Sequence, residues 1–371
     1  MPHRPAIASL LLPALSLLIV VLSACTAPGL MQRDAPQVER MHQALQTFER
    51  RGFSGQVVVI QGKQVLLNRG FGPMGPDDDR PITPGAVMPL ASLTKPFTAS
   101  AVMALAAEGR LSLNDPIGDH LPELDPVWGA IPIQHFLTHT AGLPAEIINR
   151  AFGGAPRFEP VGRDTFLARL AHFEPDHPPG ENFNYSNVGY NLLTVLIERL
   201  AEESFEDFLA GSLLATAGVF DIGLLRPAWS DTDLVVGRER QRRVGHYFEQ
   251  PMLEDGFGWH LRGAGDLMAR PAGIIAWWRA IRDQTWLSQP WLETWLTPQI
   301  EQADGSRYGY GLHFRDSPFG PVIGHTGGDF TFAVDFSWFT DHDVMVYIAS
   351  ADARFEADLL RDRLHQRLFG R

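Results

Sequence analysis

The sequence predicts a mixed α/β (α+β) fold whose sheet is assembled from both ends of the chain around an inserted helical region. Strand-like runs cluster near the two ends, at 56–72 and 307–350, while helical spacing dominates between them. With 371 residues, 45% hydrophobic and 20% charged, the chain has material for one large or two ordinary cores.

The first segment, "MPHRPAIASLLLPALSLLIVVLSAC", carries Arg4 ahead of an apolar run from Leu10 to Leu22, then Ser23 and Ala24. That is the anatomy of a signal peptide, and the run is shorter than the roughly 20 residues of a spanning helix. The chain's single cysteine, Cys25, stands at the cut in "LSAC". This resembles the lipobox of bacterial lipoproteins, which implies lipidation at Cys25 and a membrane-anchored protein of the cell envelope. The alternative is a chance cysteine in a plain secretory signal. Residues 1–24 are thus expected to be removed, and 25–36 to form a tether.

The remaining elements follow in order. "QVERMHQALQTFER" reads as an amphipathic helix with Val38, Met41, Ala44, Leu45 and Phe48 on one face. "QVVVIQ" and "QVLLNRGFG" read as strands joined at Gly62-Lys63, which makes Lys63 a turn residue. "FTASAVMALAAEGRL" is a helix closed by Gly109. Residues 187–218 and "PAGIIAWWRAIRDQ" have helical spacing, with Trp277 and Trp278 as core or groove wall. "RYGYGLHF", "GPVIGHTGG", "FTFAVDFSWFT" and "VMVYIAS" read as strands, and "EADLLRDRLHQRLF" as a closing helix. The alternation Phe330, Phe332, Val334, Phe336, Trp338 predicts one buried face. Asp341, His342 and Asp343 read as a polar turn. The expected division is 37–111 with 262–371 as the sheet domain and 112–261 as an inserted all-helical domain.

The formal charge of −12 argues against nucleic acid as a partner. The chain holds no P-loop, H-E-x-x-H or C-x-x-C. His135 and His139, four apart, have a zinc-compatible spacing but no third ligand of matching context. No metal or cofactor is expected.

One stretch resists a purely structural reading. "PLASLTKPFTA" holds Lys95, one of only two lysines against 29 arginines. As a helix N-cap Ser92 is ordinary, but a lysine three residues on opposes the helix dipole by about 0.3–1 kcal/mol. Chemistry explains it better. One helical turn puts Ser92 and Lys95 on the same face, where an amine of lowered pKa can take the hydroxyl proton; arginine cannot. Two further pieces are "NYSN", with Tyr185 and Asn187 before a helix, and "GHTGGD", with His325 to Gly328 at a strand end. Taken singly, these read as a loop anchor, an N-cap and a strand-end turn.

In the order S-x-x-K, Y-x-N, H-T-G, the three resemble the active-site signatures of the serine β-lactamase and penicillin-binding superfamily, in its class C-like branch of D,D-peptidases and esterases. "HFLTHTAGLP", "YGYGLHF" and "RGAGDLMARPAGIIAWW" are similar to further segments of that family. The resemblance implies a β-lactamase/transpeptidase-like fold: an antiparallel sheet flanked by N- and C-terminal helices. It implies Ser92 as nucleophile, Lys95 and Tyr185 sharing the proton work, and Asn187, His325, Thr326, Gly327 and Gly328 binding substrate. The backbone N–H groups of Ser92 and Gly328 would form the oxyanion hole. The implied substrate is a small or peptidoglycan-derived ester, amide or β-lactam; the alternative is a catalytically silent envelope protein that binds such fragments or a protein partner. His325 stands where many relatives carry lysine, and is expected to act as a switchable cation near neutral pH. The strand after "HTGGD" lacks the small and proline residues of many relatives, which implies an aromatic acyl pocket.

Overall fold

The computed structural model describes residues 35–369, apart from 145–146, 148–160, 225–228, 240–241, 250–257, 260 and 329–330. The signal, Cys25 and most of the tether lie outside the described residues. Among those described, no helix is long and apolar enough to cross a membrane.

Helix α1 (Ala35–Arg50) leads into strands β1 (Gly55–Gln61) and β2 (Gln64–Phe71). A one-turn 3-10 segment, Ala91–Thr94, opens α2 (Lys95–Ala107). Helices α3 (Asn187–Ala201) and α4 (Pro271–Arg282) follow. The later strands are β3 (Ile300–Glu301), β4 (Arg307–Tyr308), β5 (His313–Ser317), β6 (Gly320–Gly328), β7 (Ala333–Phe339) and β8 (Val344–Ser350), and α5 (Ala357–Phe369) ends the chain. The eight strands form one antiparallel sheet in the order β3-β4-β5-β6-β7-β8-β1-β2. The two ends of the chain meet where β1 pairs with β8, from Gly55 opposite Ser350 to Gln61 opposite Val344.

The continuous apolar run of β1 is explained by cover on both faces. Val57 and Val59 pack with Met41, Leu45, Leu360 and Leu364 under α1 and α5. Val58 and Ile60 join the larger core with Phe97, Trp277 and Trp278 under α2 and α4. Both tryptophans are core, Trp277 lying 4.5 Å from Phe97 and 4.8 Å from Phe336 between ring centres.

Strand β7 departs from the expected single buried face. Asp335, Ser337 and Phe339 are as buried as Val334 and Phe336, and Trp338 is only half-buried. The reason is α5, which covers the polar face. Its Arg361 pairs with Asp335 at 2.8 Å, and Ser337 Oγ donates to Asp335 Oδ1 at 2.6 Å. Phe330 lies outside the described residues.

The inserted region is not wholly helical. Gly237–Glu239 pairs with Arg242–Gly245, and Ile222–Gly223 joins a three-stranded ribbon with Met268–Ala269 and Met88–Pro89. That ribbon matters for function, because Met88–Pro89 runs directly into the turn that carries Ser92.

Candidate active site

The Ser92 turn is held under strain. Ala91 has φ +46°, a left-handed conformation that costs a non-glycine residue about 1–2 kcal/mol. The Leu90 N–H donates to the Leu267 carbonyl at 2.7 Å, securing the turn from one side. From the other side β6 presses close: a Cβ on Gly327 would lie 2.4 Å from the Leu90 oxygen and 3.0 Å from the Ser92 nitrogen. Gly327 therefore admits the protein's own backbone, whereas beside Gly328 the nearest atom to a Cβ among the described residues would be the Phe332 oxygen, 3.9 Å away. Glycine at 328 is thus the one that leaves room for a ligand beside the strand.

Ser92 is not the helix cap. The α-helix starts at Lys95, the cap position falls to Thr94, and neither makes a capping side-chain bond. The one-turn spacing nevertheless brings Lys95 Nζ within 3.2 Å of Ser92 Oγ. The amine is completely buried and has two other partners, Asn187 Oδ1 at 2.7 Å and the Ala264 carbonyl at 2.8 Å. Both are obligate acceptors. A neutral amine satisfies them with its two N–H groups and keeps its lone pair for the third direction, where the Ser92 O–H lies. Burial drives the Lys95 pKa well below 10.5, with Asp266 opposing. The Tyr185 and Tyr190 rings lie 4.8 and 5.6 Å from Nζ, and their faces, like Asp266, favour the cation.

Asn187 is the first residue of α3, and Ser186, not Asn187, occupies its cap position. With Oδ1 committed to Lys95, only its amide N–H groups remain for a substrate. Tyr185, on the loop just before, keeps 36% of its surface open although the surroundings of its ring are nearly closed. Desolvation pushes its phenol pKa up and a hydrogen bond with Ser92 pulls it back. The phenol is therefore neutral at physiological pH rather than a standing phenolate.

His325 does not fit the expectation of a switchable cation. It is 1% exposed, with Nδ1 2.5 Å from the Thr326 carbonyl and Nε2 3.3 Å from Tyr308 Oη. Tyr308 Oη also lies 3.2 Å from His139 Nε2, and His139 Nδ1 accepts from the Ser186 N–H at 3.1 Å. The Ser186 N–H leaves the hydrogen of His139 on Nε2, which makes that imidazole neutral, and the Thr326 carbonyl calls for a hydrogen on His325 Nδ1. Burial, followed by the nearby His313 and Lys95, drives the His325 pKa well below 6.5. Accordingly, the kcat/KM profiles of carboxylate-bearing substrates should have the same shape for wild type and His325→Asn from about pH 6 to 8. A step in that window that disappears in the variant would restore the cationic role.

The neighbouring Thr326 is exposed on β6. Ser92, Lys95, Tyr185 and Asn187 are thus brought together directly, with His325, Thr326, Gly327 and Gly328 along the adjacent strand. Sequence reasoning gave no role to His139, Tyr308, His313, Ala264 or Asp266. The four-residue spacing of His135 and His139 does not make a helical pair, because the helix spans Ile133–Leu137 and His139 has φ +59° beyond its end. The two rings diverge, His135 to Thr140 at 2.8 Å and His139 to Tyr308. Among the described residues no group of three or more His, Cys, Asp or Glu could hold a metal. Around Lys95 and His325, the rings of Tyr185, Tyr190, Tyr308, His139 and His313 pack together, whereas Phe332 and Phe336 of the strand after "HTGGD" lie in the core.

A large antiparallel sheet carrying a strained Ser-x-x-Lys turn beside a Tyr-x-Asn loop defines the β-lactamase/transpeptidase-like superfamily, to which the penicillin-binding proteins also belong. The chain belongs to the Beta-lactamase family, whose model matches residues 37–369. It is 25% identical over 350 residues to penicillin-binding protein 4* of Bacillus subtilis, covering 87% of this chain and 74% of that protein. It spans about half (52%) of the length of Staphylococcus aureus protein flp. The octameric penicillin-binding protein homologue from Pyrococcus abyssi superposes with TM-score 0.76 at 24% identity, over 90% of this chain and 77% of that one. The β-lactamase/D-alanine carboxypeptidase from Pseudomonas syringae does so with TM-score 0.74 at 16% identity, over 90% and 98%. These two structures are alike in fold.

Proposed function

We propose that this protein is a serine hydrolase that cleaves ester, amide or β-lactam bonds through an acyl-enzyme on Ser92. The observation that carries the reading is the coordination of Lys95: a buried amine whose two acceptor neighbours leave its lone pair facing the Ser92 hydroxyl. In acylation Ser92 Oγ bonds to the substrate carbonyl carbon as its proton passes to Lys95. The carbonyl–leaving-group bond then breaks, and the leaving group takes a proton relayed through Tyr185. Water, activated through Tyr185, reverses the sequence and frees the acid. The oxyanion is held by the backbone N–H groups of Ser92 and Gly328; donors of this kind are worth about 3–4 kcal/mol each.

The neutral His325 favours substrates that need no cation at that position, so uncharged esters and amides should be turned over more readily than carboxylate-bearing peptides or β-lactams. Intact mass after exposure to a fluorophosphonate and to a penicillin tests the reading. A single adduct on wild type, absent from Ser92→Ala, is expected with the fluorophosphonate. No adduct, or one that survives Ser92→Ala, would leave a silent binding protein as the better description.

A further inference from the structure

The loop that carries Tyr185 is bonded on both sides of that residue to one partner, His139. Ahead of Tyr185 the Asn184 N–H donates to the His139 carbonyl at 2.7 Å; behind it the Ser186 N–H donates to His139 Nδ1 at 3.1 Å. The imidazole also lies against the Tyr185 ring, with 4.3 Å between centres and 36° between planes. Next to these contacts the Gly180 N–H donates to the Thr140 carbonyl at 2.8 Å, and Asn184 Nδ2 to the Leu143 carbonyl at 2.6 Å.

His139 is itself firmly seated. It is 3% exposed, its Nε2 lies 3.2 Å from Tyr308 Oη, and the rings of Phe183, Tyr190 and Tyr308 stand 5.7, 5.1 and 5.0 Å from its own. Burial, with Lys95 and His313 adding, holds its pKa well below 6.5, so the Nδ1 acceptor persists at neutral pH. Tyr185 has no such seat. Of Ser92, Lys95, Tyr185 and Asn187 it is the exposed one, so its place is set by the loop rather than by the core.

We propose that His139 is a positioning residue that holds the Tyr185 phenol against Ser92, and that its Nδ1 acceptor does the holding. On the serine hydrolase reading above, which this role presupposes, Tyr185 relays a proton to the leaving group as the carbonyl–leaving-group bond breaks. A simple alcohol needs that proton. p-Nitrophenolate and fluoride instead depart as stable anions, taking the bonding pair with them. A loosened loop therefore penalises the first kind of substrate and spares the second, whereas general damage to the fold penalises both.

Two substitutions divide the imidazole. Asparagine carries Oδ1 where histidine carries Nδ1 and tolerates the left-handed backbone at this position, φ +59°. Glutamine is one methylene longer, so its amide reaches toward the Nε2 end and leaves the Ser186 N–H without its acceptor. For His139→Gln, kcat/KM on an ethyl ester should fall about 10²-fold or more, while the p-nitrophenyl ester of the same acid and the rate of fluorophosphonate labelling stay within about threefold of wild type. His139→Asn should stay within about threefold on all three. Added to Tyr185→Phe, the glutamine should cost the ethyl ester nothing further, because it acts through the phenol that is already gone. An equal fall on all three reagents would overturn the proposal. So would a selective ethyl-ester loss in His139→Asn, even if the glutamine variant does not fold.

Hydrogen exchange at the Ser186 amide reads the hold without chemistry: faster than wild type in His139→Gln and unchanged in His139→Asn. Equal exchange in both variants would overturn the hold. A wild type that no fluorophosphonate labels would defeat the hydrolase reading instead, and the exchange rates would then decide whether His139 fixes the loop.

Discussion

Lys95→Arg is expected to lower the rate of Ser92 acylation by about 10³-fold, within the range for loss of a positioned general base. Lys95 and arginine share a positive charge in water, so the comparison isolates what the buried site does to that charge. The amine sheds its proton because desolvation outweighs the attraction of Asp266. A guanidinium cannot follow, since its pKa stays above ~12 and its nitrogens offer donors only. It would point N–H groups at Ser92 Oγ, at Asn187 Oδ1 and at the Ala264 carbonyl alike, leaving no acceptor for the serine proton. The variant should also melt at lower temperature, because it must bury a permanent charge where the lysine buries a neutral group. Pre-steady-state labelling with a fluorophosphonate, together with melting curves, measures both effects. A Lys95→Arg enzyme that acylates at near wild-type rate would mean that Lys95 is not the proton acceptor.

The same physics runs through the rest of the site. His139 is neutral because its Nδ1 accepts from a backbone N–H, and His325 because burial disfavours its cation. Tyr185 stays a phenol because its ring is desolvated. Lys95 and Asp266 are both pushed toward their uncharged forms. The site around Lys95 thus holds many titratable groups and little formal charge, which keeps the amine basic enough to act and available to act.

This environment explains which parts of the molecule were legible in the sequence. The Ser92–Lys95 relation was readable because it depends only on helical spacing and on the scarcity of lysine in an arginine-rich chain. The hairpin at Gly62-Lys63 and the alternating strands were readable because they follow local rules of turn and period. Long-range cover was not local. The polar residues of β7 look solvent-facing until α5 brings Arg361 onto Asp335. His139 looks like half of a helical pair until the chain turns left-handed at that residue. Asp266 lies in the family-like segment "RGAGDLMARPAGIIAWW", but its burial and the company of Lys95 and Glu206, which come from distant stretches of chain, are not local features.

Gly327→Ala should cost far more than Gly328→Ala, although the two positions are adjacent and chemically identical. At 327 the added methyl would meet backbone on arrival, 2.4 Å from the Leu90 oxygen, 3.0 Å from the Ser92 nitrogen and 3.1 Å from the Ala91 Cβ. None of these can rotate away, so either β6 or the Ser92 turn must move. The turn is already strained at Ala91 and tied to Leu267, and β6 is tied to β7 from Val322 to Gly328. Overpacking of this kind costs about 1–3 kcal/mol of stability. Catalysis should suffer more, because the displaced atoms include the Ser92 N–H proposed for the oxyanion; loss of one such donor lowers turnover about 10²–10³-fold. At 328 the nearest atom to the methyl among the described residues is 3.9 Å away, so the fold should be nearly unaffected and any loss should appear in KM for bulky acyl groups. Chemical denaturation and kcat/KM on a small uncharged ester separate the two variants. Equal behaviour of Gly327→Ala and wild type would mean that the contact between β6 and the Ser92 turn does not set the geometry of the oxyanion site.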